Sequence, residues 1–169
     1  MGGLPLYAKR DADMRQSGME IHGANDIYKR IARCCNPVEG EQVVGYVTRG
    51  NGLTVHRIDC HNVINERQPE RLMPVSWGGT KNTQIYSVPL RIEAWDRVGL
   101  WHDVTEVFKN NNINIKTVNM SQHRHPDKAS LQATVMVDSF SELTTLMDKL
   151  GRVKDVIEVR RERNVGRGA

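Results

Sequence analysis

Four residues with metal-binding side chains fall within one short stretch of the sequence: Cys34, Cys35, His56 and Cys60. Zinc takes thiolate sulfur and imidazole nitrogen as ligands and holds four of them in a tetrahedron. A strand-turn-strand between Cys35 and His56 would fold the two halves of the set together. The adjacent cysteines lack the usual Cys-x-x-Cys spacing, which makes it hard for both sulfurs to reach one ion. The alternative is that Cys34 or Cys35 is a small buried hydrophobic residue.

A second candidate is the segment DRVGLW at residues 96–101, between a predicted strand and the start of a predicted helix. Backbone N–H groups at such a helix start attract carboxylates and phosphates. Gly99 permits close approach of a ligand or of another backbone. The alternative is an ordinary tight turn with Asp96 near the helix cap.

A third candidate is a basic set around the turns of the first half, made of Lys29, Arg33, Arg49 and Arg57. Arginine suits contacts with phosphate, so this set is compatible with RNA. The alternative is solvated surface charge, because residues 23–80 contain seven basic and six acidic residues.

The elements that must position these residues form two predicted domains. Residues 1–22 are predicted as a flexible lead-in, and residues 23–78 as a small α/β unit. Asn25 or Asp26 would cap a short helix over residues 27–32. Apolar and β-branched runs predict strands over residues 43–48, 53–56 and 72–77.

The second predicted domain covers residues 84–163, after a glycine-led polar boundary at residues 78–83. Helical spacing predicts helices from Leu100 to Phe108 and from Phe140 to Leu150, the second one stopped by Gly151. Alternation predicts strands over residues 86–95, 113–120, 131–137 and 153–159. The order strand, helix, strand, strand, helix, strand predicts a ferredoxin-like sandwich within an α+β chain, with both helices on one face of an antiparallel sheet. Residues 164–169 are predicted as a basic tail.

Composition and motifs narrow the function classes. The 169 residues include 24 Lys and Arg against 20 Asp and Glu, for a net charge of +4. No run approaches the roughly 20 apolar residues of a membrane span, and no secretory pattern is present, so a cytoplasmic protein is expected. There is no nucleophile elbow, phosphate-cradling loop or helical His-x-x-x-His. We therefore expect no enzyme active site in this chain.

The run ARCCNPVEGEQVVGYVTRGNGLTVHRIDC, from Ala32 to Cys60, closely resembles the C-terminal regulatory part of long Rel/SpoT proteins. These are the stringent-response enzymes that make and hydrolyse (p)ppGpp. The DRVGL turn and the βαββαβ order resemble the ACT domain that ends the same proteins. The resemblance covers residues 20–163 and includes nothing like the family's hydrolase, synthetase or TGS domains. It therefore implies a regulatory fragment of a GTP pyrophosphokinase and (p)ppGpp pyrophosphohydrolase.

For the first domain, the resemblance implies a conserved-cysteine unit, also called a zinc-finger or ribosome-intersubunit domain. In the family this domain contacts ribosomal RNA and the A-site tRNA environment. Arg49 and Arg57 match basic positions near the RNA-facing turns. The proposed metal ligands of the family match Cys34, Cys35, His56 and Cys60, so Zn²⁺ is the one cofactor expected and no organic cofactor is. Glu39 and Glu41 replace the frequent Pro and Asp of the family, and Asn51 replaces a common Arg.

For the second domain, the resemblance implies an amino-acid site at the first strand-to-helix turn, often shared across a dimer interface. Asp96, Gly99 and Leu100 match that turn, and the expected ligand is a branched-chain amino acid such as valine or isoleucine. Trp101 replaces a common aliphatic residue and would narrow a ligand pocket. The expected partners are the ribosome, A-site tRNA, the catalytic domains of the parent chain and a second copy through ACT, with no membrane. The alternative function is an RNA-docking or dimerisation module without a small-molecule ligand.

Overall fold

The computed structural model describes residues 21–22, 27–50, 52–78 and 84–163. The chain divides into two compact units, Met1–Gln84 and Ile85–Ala169. Most of the predicted lead-in, the glycine-led boundary beyond Gly78 and the predicted basic tail lie outside the described residues. No helix within the described residues is long and apolar enough to cross a membrane.

The first unit is built from short strands around a small apolar core. Its elements are β1 (Ile21–His22), β2 (Lys29–Ile31), β3 (Val43–Val47), β4 (Leu53–Arg57), helix α1 (His61–Ile64), a 3-10 turn (Pro69–Arg71), β5 (Leu72–Pro74) and β6 (Ser76–Trp77). A four-stranded sheet has the order β2-β4-β3-β5, with β2 parallel to β4 and the other pairs antiparallel. β1 and β6 form a separate antiparallel pair. Leu53 and Val55 are almost fully buried in the core of this unit.

The helix predicted over residues 27–32 is wrong, because the structure forms strand β2 there. The apolar pairs in this segment fit one helical face, but a helix this short is marginal without tertiary support. Pairing with β4 satisfies the backbone instead, with Ile31 opposite Val55. The segment 72–77 also differs from the single predicted strand, since it divides into β5 and β6. β6 pairs with β1, which falls inside the predicted lead-in.

The second unit is a ferredoxin-like βαββαβ sandwich, as predicted. Its elements are β7 (Tyr86–Trp95), α2 (Leu100–Asn110), β8 (Asn114–Gln122), β9 (Lys128–Val137), α3 (Phe140–Gly151) and β10 (Val156–Arg161). The sheet has the order β10-β7-β9-β8, and every neighbouring pair is antiparallel. Alternate residues of β7 and β9 are buried opposite one another, for example Leu90 and Ala133.

The connection from α3 to β10 differs in detail from the prediction. Gly151 is the last residue of the helix instead of a stop beyond it. The left-handed backbone falls on Asp155, at φ +72°. β10 consequently begins at Val156, three residues later than the predicted strand, which begins at Val153.

Candidate functional site

The first candidate site is the cysteine cluster, defined as Cys34, Cys35, His56 and Cys60. Because β2 and β4 are parallel neighbours, the turn that follows β2 and the end of β4 lie at the same edge of the sheet. The two adjacent cysteines occupy that turn, and His56 lies on β4. Cys60 returns to the same place through a tight turn in which its N–H donates to the carbonyl of Arg57 at 3.0 Å. The fold therefore brings together all four residues that the sequence singled out.

The ligand atoms of the cysteine cluster all lie within 4.8 Å of one another. Cys34 Sγ is 3.4 Å from His56 Nδ1 and 3.6 Å from Cys60 Sγ. Cys35 Sγ is 3.8 Å from the same histidine nitrogen. A tetrahedral zinc with Zn–S bonds of about 2.3 Å separates two sulfur ligands by about 3.8 Å. The donor set therefore fits one zinc ion.

The turn backbone resolves the difficulty expected from two adjacent cysteines. Asn36 adopts a left-handed conformation at φ +43° and its N–H donates to the carbonyl of Ala32 at 2.9 Å. This closed turn directs both sulfurs to the same side. The backbone N–H of Arg57 donates to Cys35 Sγ at 3.3 Å, an outer contact that orients a metal-binding sulfur.

The protonation of the cluster follows from its partial burial. Burial raises the pKa of Cys34 and that of Cys35. Burial, with a smaller contribution from the charge of Arg30, lowers the pKa of His56. The imidazole is therefore neutral at pH 7, as a metal ligand must be. The thiols favour their neutral form until a cation compensates the thiolate charge, so metal binding would release protons.

A buried carboxylate next to the cluster was missed as a functional residue by sequence reasoning. The side chain of Glu41 is only 6% exposed and lies 3.3 Å from Arg57 Nε. Its second oxygen accepts the N–H of Val38 at 2.8 Å, and its carbonyl accepts Trp77 Nε1 at 2.9 Å. The only signal in the sequence was the departure at this position from the usual family residue. Glu41 joins three segments of the first unit.

We expect Glu41→Gln to lower the free energy of unfolding of the first unit by about 1–3 kcal/mol, because Arg57 loses a buried partner. Urea denaturation followed by the amide signals of β3 and β4 would measure this change. Glu70→Gln, an exposed position in the same unit, is the matched control and should have no effect. Equal stability of both variants would contradict the structural role of Glu41.

The two predicted RNA-contact arginines differ in their surroundings. Arg57 lies between two carboxylates, with Glu41 at 3.3 Å and Asp59 at 2.7 Å. Arg49 lies in the turn between β3 and β4 and is exposed. The positive charge of Arg57 is shared with two carboxylates and therefore attracts phosphate less strongly. Arg49 is thus the better placed of the two arginines for a phosphate contact.

The second candidate site is the ligand turn, defined as residues 96–100, which joins β7 to α2. Gly99 is the N-cap of α2 at φ +79°, and no side chain caps the helix. The first-turn N–H groups of an uncapped helix can bind an anion. Leu100 is 1% exposed and belongs to the core, so its side chain is not available to a ligand, and its N–H donates to the carbonyl of Arg97 at 3.3 Å. Asp96 is exposed, and its N–H donates to the carbonyl of Asp127 at 2.8 Å.

Comparisons with known proteins give a family match for each of the two units. Residues 19–78 match the family model of the RelA/SpoT RIS domain, and residues 82–161 match that of the ACT domain. The chain belongs to the RelA/SpoT family. It represents the regulatory region, in which the cysteine cluster lies in the RIS domain and the ligand turn in the ACT domain.

Relatives in this family are similar over most of the chain. A GTP pyrophosphokinase of Escherichia coli K12 is 31% identical over 157 residues, which is 92% of this chain and 21% of that protein. A GTP pyrophosphokinase of Myxococcus xanthus is 36% identical over 146 residues, 86% of this chain and 19% of that protein. The chain thus spans about a fifth of the length of these relatives. The crystal structure of the ACT domain from a GTP pyrophosphokinase of Chlorobium tepidum is 28% identical and covers 47% of this chain and 100% of its own, with a TM-score of 0.42.

Proposed function

We propose that this region regulates a (p)ppGpp synthetase/hydrolase by binding an aliphatic amino acid at the ligand turn and ribosomal RNA through the RIS domain. The observation that supports the proposal most directly is the uncapped start of α2 at Gly99. An amino-acid carboxylate is an anion of suitable size for first-turn N–H groups. A regulatory effect then requires that ligand affinity differs between the active and inactive states of the whole enzyme.

Isothermal titration of the full chain with valine and isoleucine tests the amino-acid site. We expect saturable heat with both ligands and none with valinamide, in which an amide replaces the carboxylate. Absence of heat with either amino acid would remove this part of the proposal.

Zinc in the cysteine cluster would have a structural role in the proposed RNA-binding domain. Cys34, Cys35, His56 and Cys60 would hold the ion, which would link the turn after β2, strand β4 and the start of α1. The β3–β4 turn that carries Arg49 lies at the opposite end of β4, so the ion would support this turn only by stabilising the sheet that holds it.

Arg49→Gln is expected to weaken binding to ribosomes and to reduce the dependence of log affinity on log salt concentration by about one phosphate contact. The reason is the loss of one exposed cation that faces RNA. Sedimentation with ribosomes at several salt concentrations measures both quantities. Arg152→Gln is the control, because Arg152 is also exposed and its one ion pair among the described residues is with Asp148, one helical turn away, at 2.9 Å. An unchanged salt dependence for Arg49→Gln would argue against this contact.

A second candidate function, dimerisation without a small-molecule ligand, has one supporting observation. β8 is an edge strand, and its apolar residues Val118 and Met120 are 51% and 64% exposed. An exposed apolar edge strand is a surface that another copy can pair with. Sedimentation velocity over a range of concentrations would decide, because a monomer at all concentrations excludes this candidate.

A further inference from the structure

Arg97 lies inside the ligand turn and connects it to two other segments of the ACT domain. Its Nη2 atom is 2.7 Å from Asp103 Oδ2 in the first turn of α2. Its Nε atom is 2.8 Å from Asp155 Oδ2, in the turn that precedes β10. Nη2 also donates to the carbonyl of Lys154 at 3.2 Å. One guanidinium therefore holds the start of α2 and the α3–β10 turn together.

The charges around Arg97 favour competition with an anionic ligand. One cation faces two carboxylates, Asp103 and Asp155, so the group already has a net negative charge. Hydrogen bonding to Arg97 holds the pKa of Asp103 below its usual range, with a smaller contribution from His102. A ligand carboxylate on the first turn of α2 would add a third negative charge beside the same guanidinium. The added charge weakens the contacts of Arg97 with its present partners.

Of the two carboxylate contacts of Arg97, the contact with Asp155 is the one that can break. Asp155 has a left-handed backbone at φ +72°, a conformation that costs energy in any residue with a Cβ atom. Its carbonyl accepts the N–H of Trp95 at 2.8 Å, which fastens the turn to the end of β7. The next residue, Val156, begins β10. A change at Asp155 is thereby transmitted to β10, an edge strand of the sheet.

We propose that Arg97 is a positioning residue that couples amino-acid binding at the ligand turn to the turn before β10. The inference rests on the proposed amino-acid site and adds which part of the domain responds to the ligand, namely the turn before β10. A bound carboxylate draws Arg97 away from Asp155, and the start of β10 loosens. Asp155 therefore competes with the ligand for Arg97.

The test combines valine titration with amide hydrogen exchange on the full chain. In the wild type, saturating valine should speed exchange at the amides of Trp95 and Val156. Arg97→Gln should exchange faster at both amides without valine, show no further response to it, and bind valine about fivefold more weakly or worse. Asp155→Asn retains a residue that tolerates the left-handed backbone but removes the competing charge. It should raise valine affinity about threefold, the size expected for one exposed ion pair.

Arg91→Gln is the matched control, since Arg91 lies on β7, the strand that precedes the ligand turn, and pairs with Glu93 and Glu162. It should leave valine affinity and the exchange response unchanged. If the wild type binds valine and Arg97→Gln behaves like it in affinity and exchange, the coupling is refuted while the amino-acid site stands. A loss of affinity in Asp155→Asn also refutes the competition, because a purely structural Asp155 predicts that loss. If the wild type binds no amino acid, both the proposed site and the coupling are refuted.

Discussion

Cys60→Ser is expected to lower the zinc affinity of the RIS domain by about 100-fold or more, close to 3 kcal/mol. Cys60 is the buried member of the cysteine cluster, and its sulfur lies 3.6 Å from that of Cys34. A serine hydroxyl is a poor replacement for a thiolate in a site of this kind. Because the cluster joins three segments, we also expect the domain to become less stable. Metal analysis after purification without added zinc, together with competition against a chelator, measures the effect.

His61→Gln is the control for Cys60→Ser. His61 follows Cys60 directly but is exposed and lies outside the cluster, so its replacement should leave the zinc content near one ion per chain. A wild-type chain that contains far less than one zinc, or a Cys60→Ser chain that retains the wild-type content, would contradict the metal site.

Gly99→Ala is expected to reduce valine affinity at least about tenfold and to destabilise the ACT domain by about 1–2 kcal/mol. Steric crowding is not the cause, because a Cβ atom at this position would contact only Arg97 Nη1, at an ordinary van der Waals distance of 3.9 Å. The cause is the backbone conformation at φ +79°, which alanine rarely adopts. A shifted turn would move the first N–H groups of α2 away from the ligand. Calorimetric titration and thermal unfolding measure the two effects.

Gly151→Ala separates these effects from a general consequence of replacing glycine. A Cβ atom at Gly151 would meet nothing within 4 Å, and the residue ends α3 in a helical conformation. We expect normal valine binding and equal or slightly higher stability. If Gly99→Ala binds valine as tightly as Gly151→Ala does, the turn backbone is not the binding element.

The ACT half of the fold could be predicted because its periodicities are long. Ten residues of β7 alternate strictly between buried and partly exposed positions until the exposed Trp95, and two helices show clear apolar faces. The RIS half could be predicted less well because its strands are short. β2 has only three residues, and its pairing with β4 across 24 residues determined its structure more than its local pattern did.

The candidate sites also differed in how far the sequence predicted their residues. The cysteine cluster was visible because its members are rare residue types that form a recognisable set. Neither the ion pair of Glu41 with Arg57 nor that of Arg97 with Asp155 was visible, since each joins common charged residues far apart in the chain. Asp155 gave no signal at all, because its left-handed backbone depends on how α3 and β10 are joined.

The most direct test of the central claim is a valine titration of the isotopically labelled chain followed by NMR. We expect saturable shifts of the Gly99 and Leu100 amide signals, with no comparable shifts at the β3–β4 turn near Arg49. Unchanged Gly99 and Leu100 signals at millimolar valine would contradict the proposed site, because the ligand turn would then bind no amino acid.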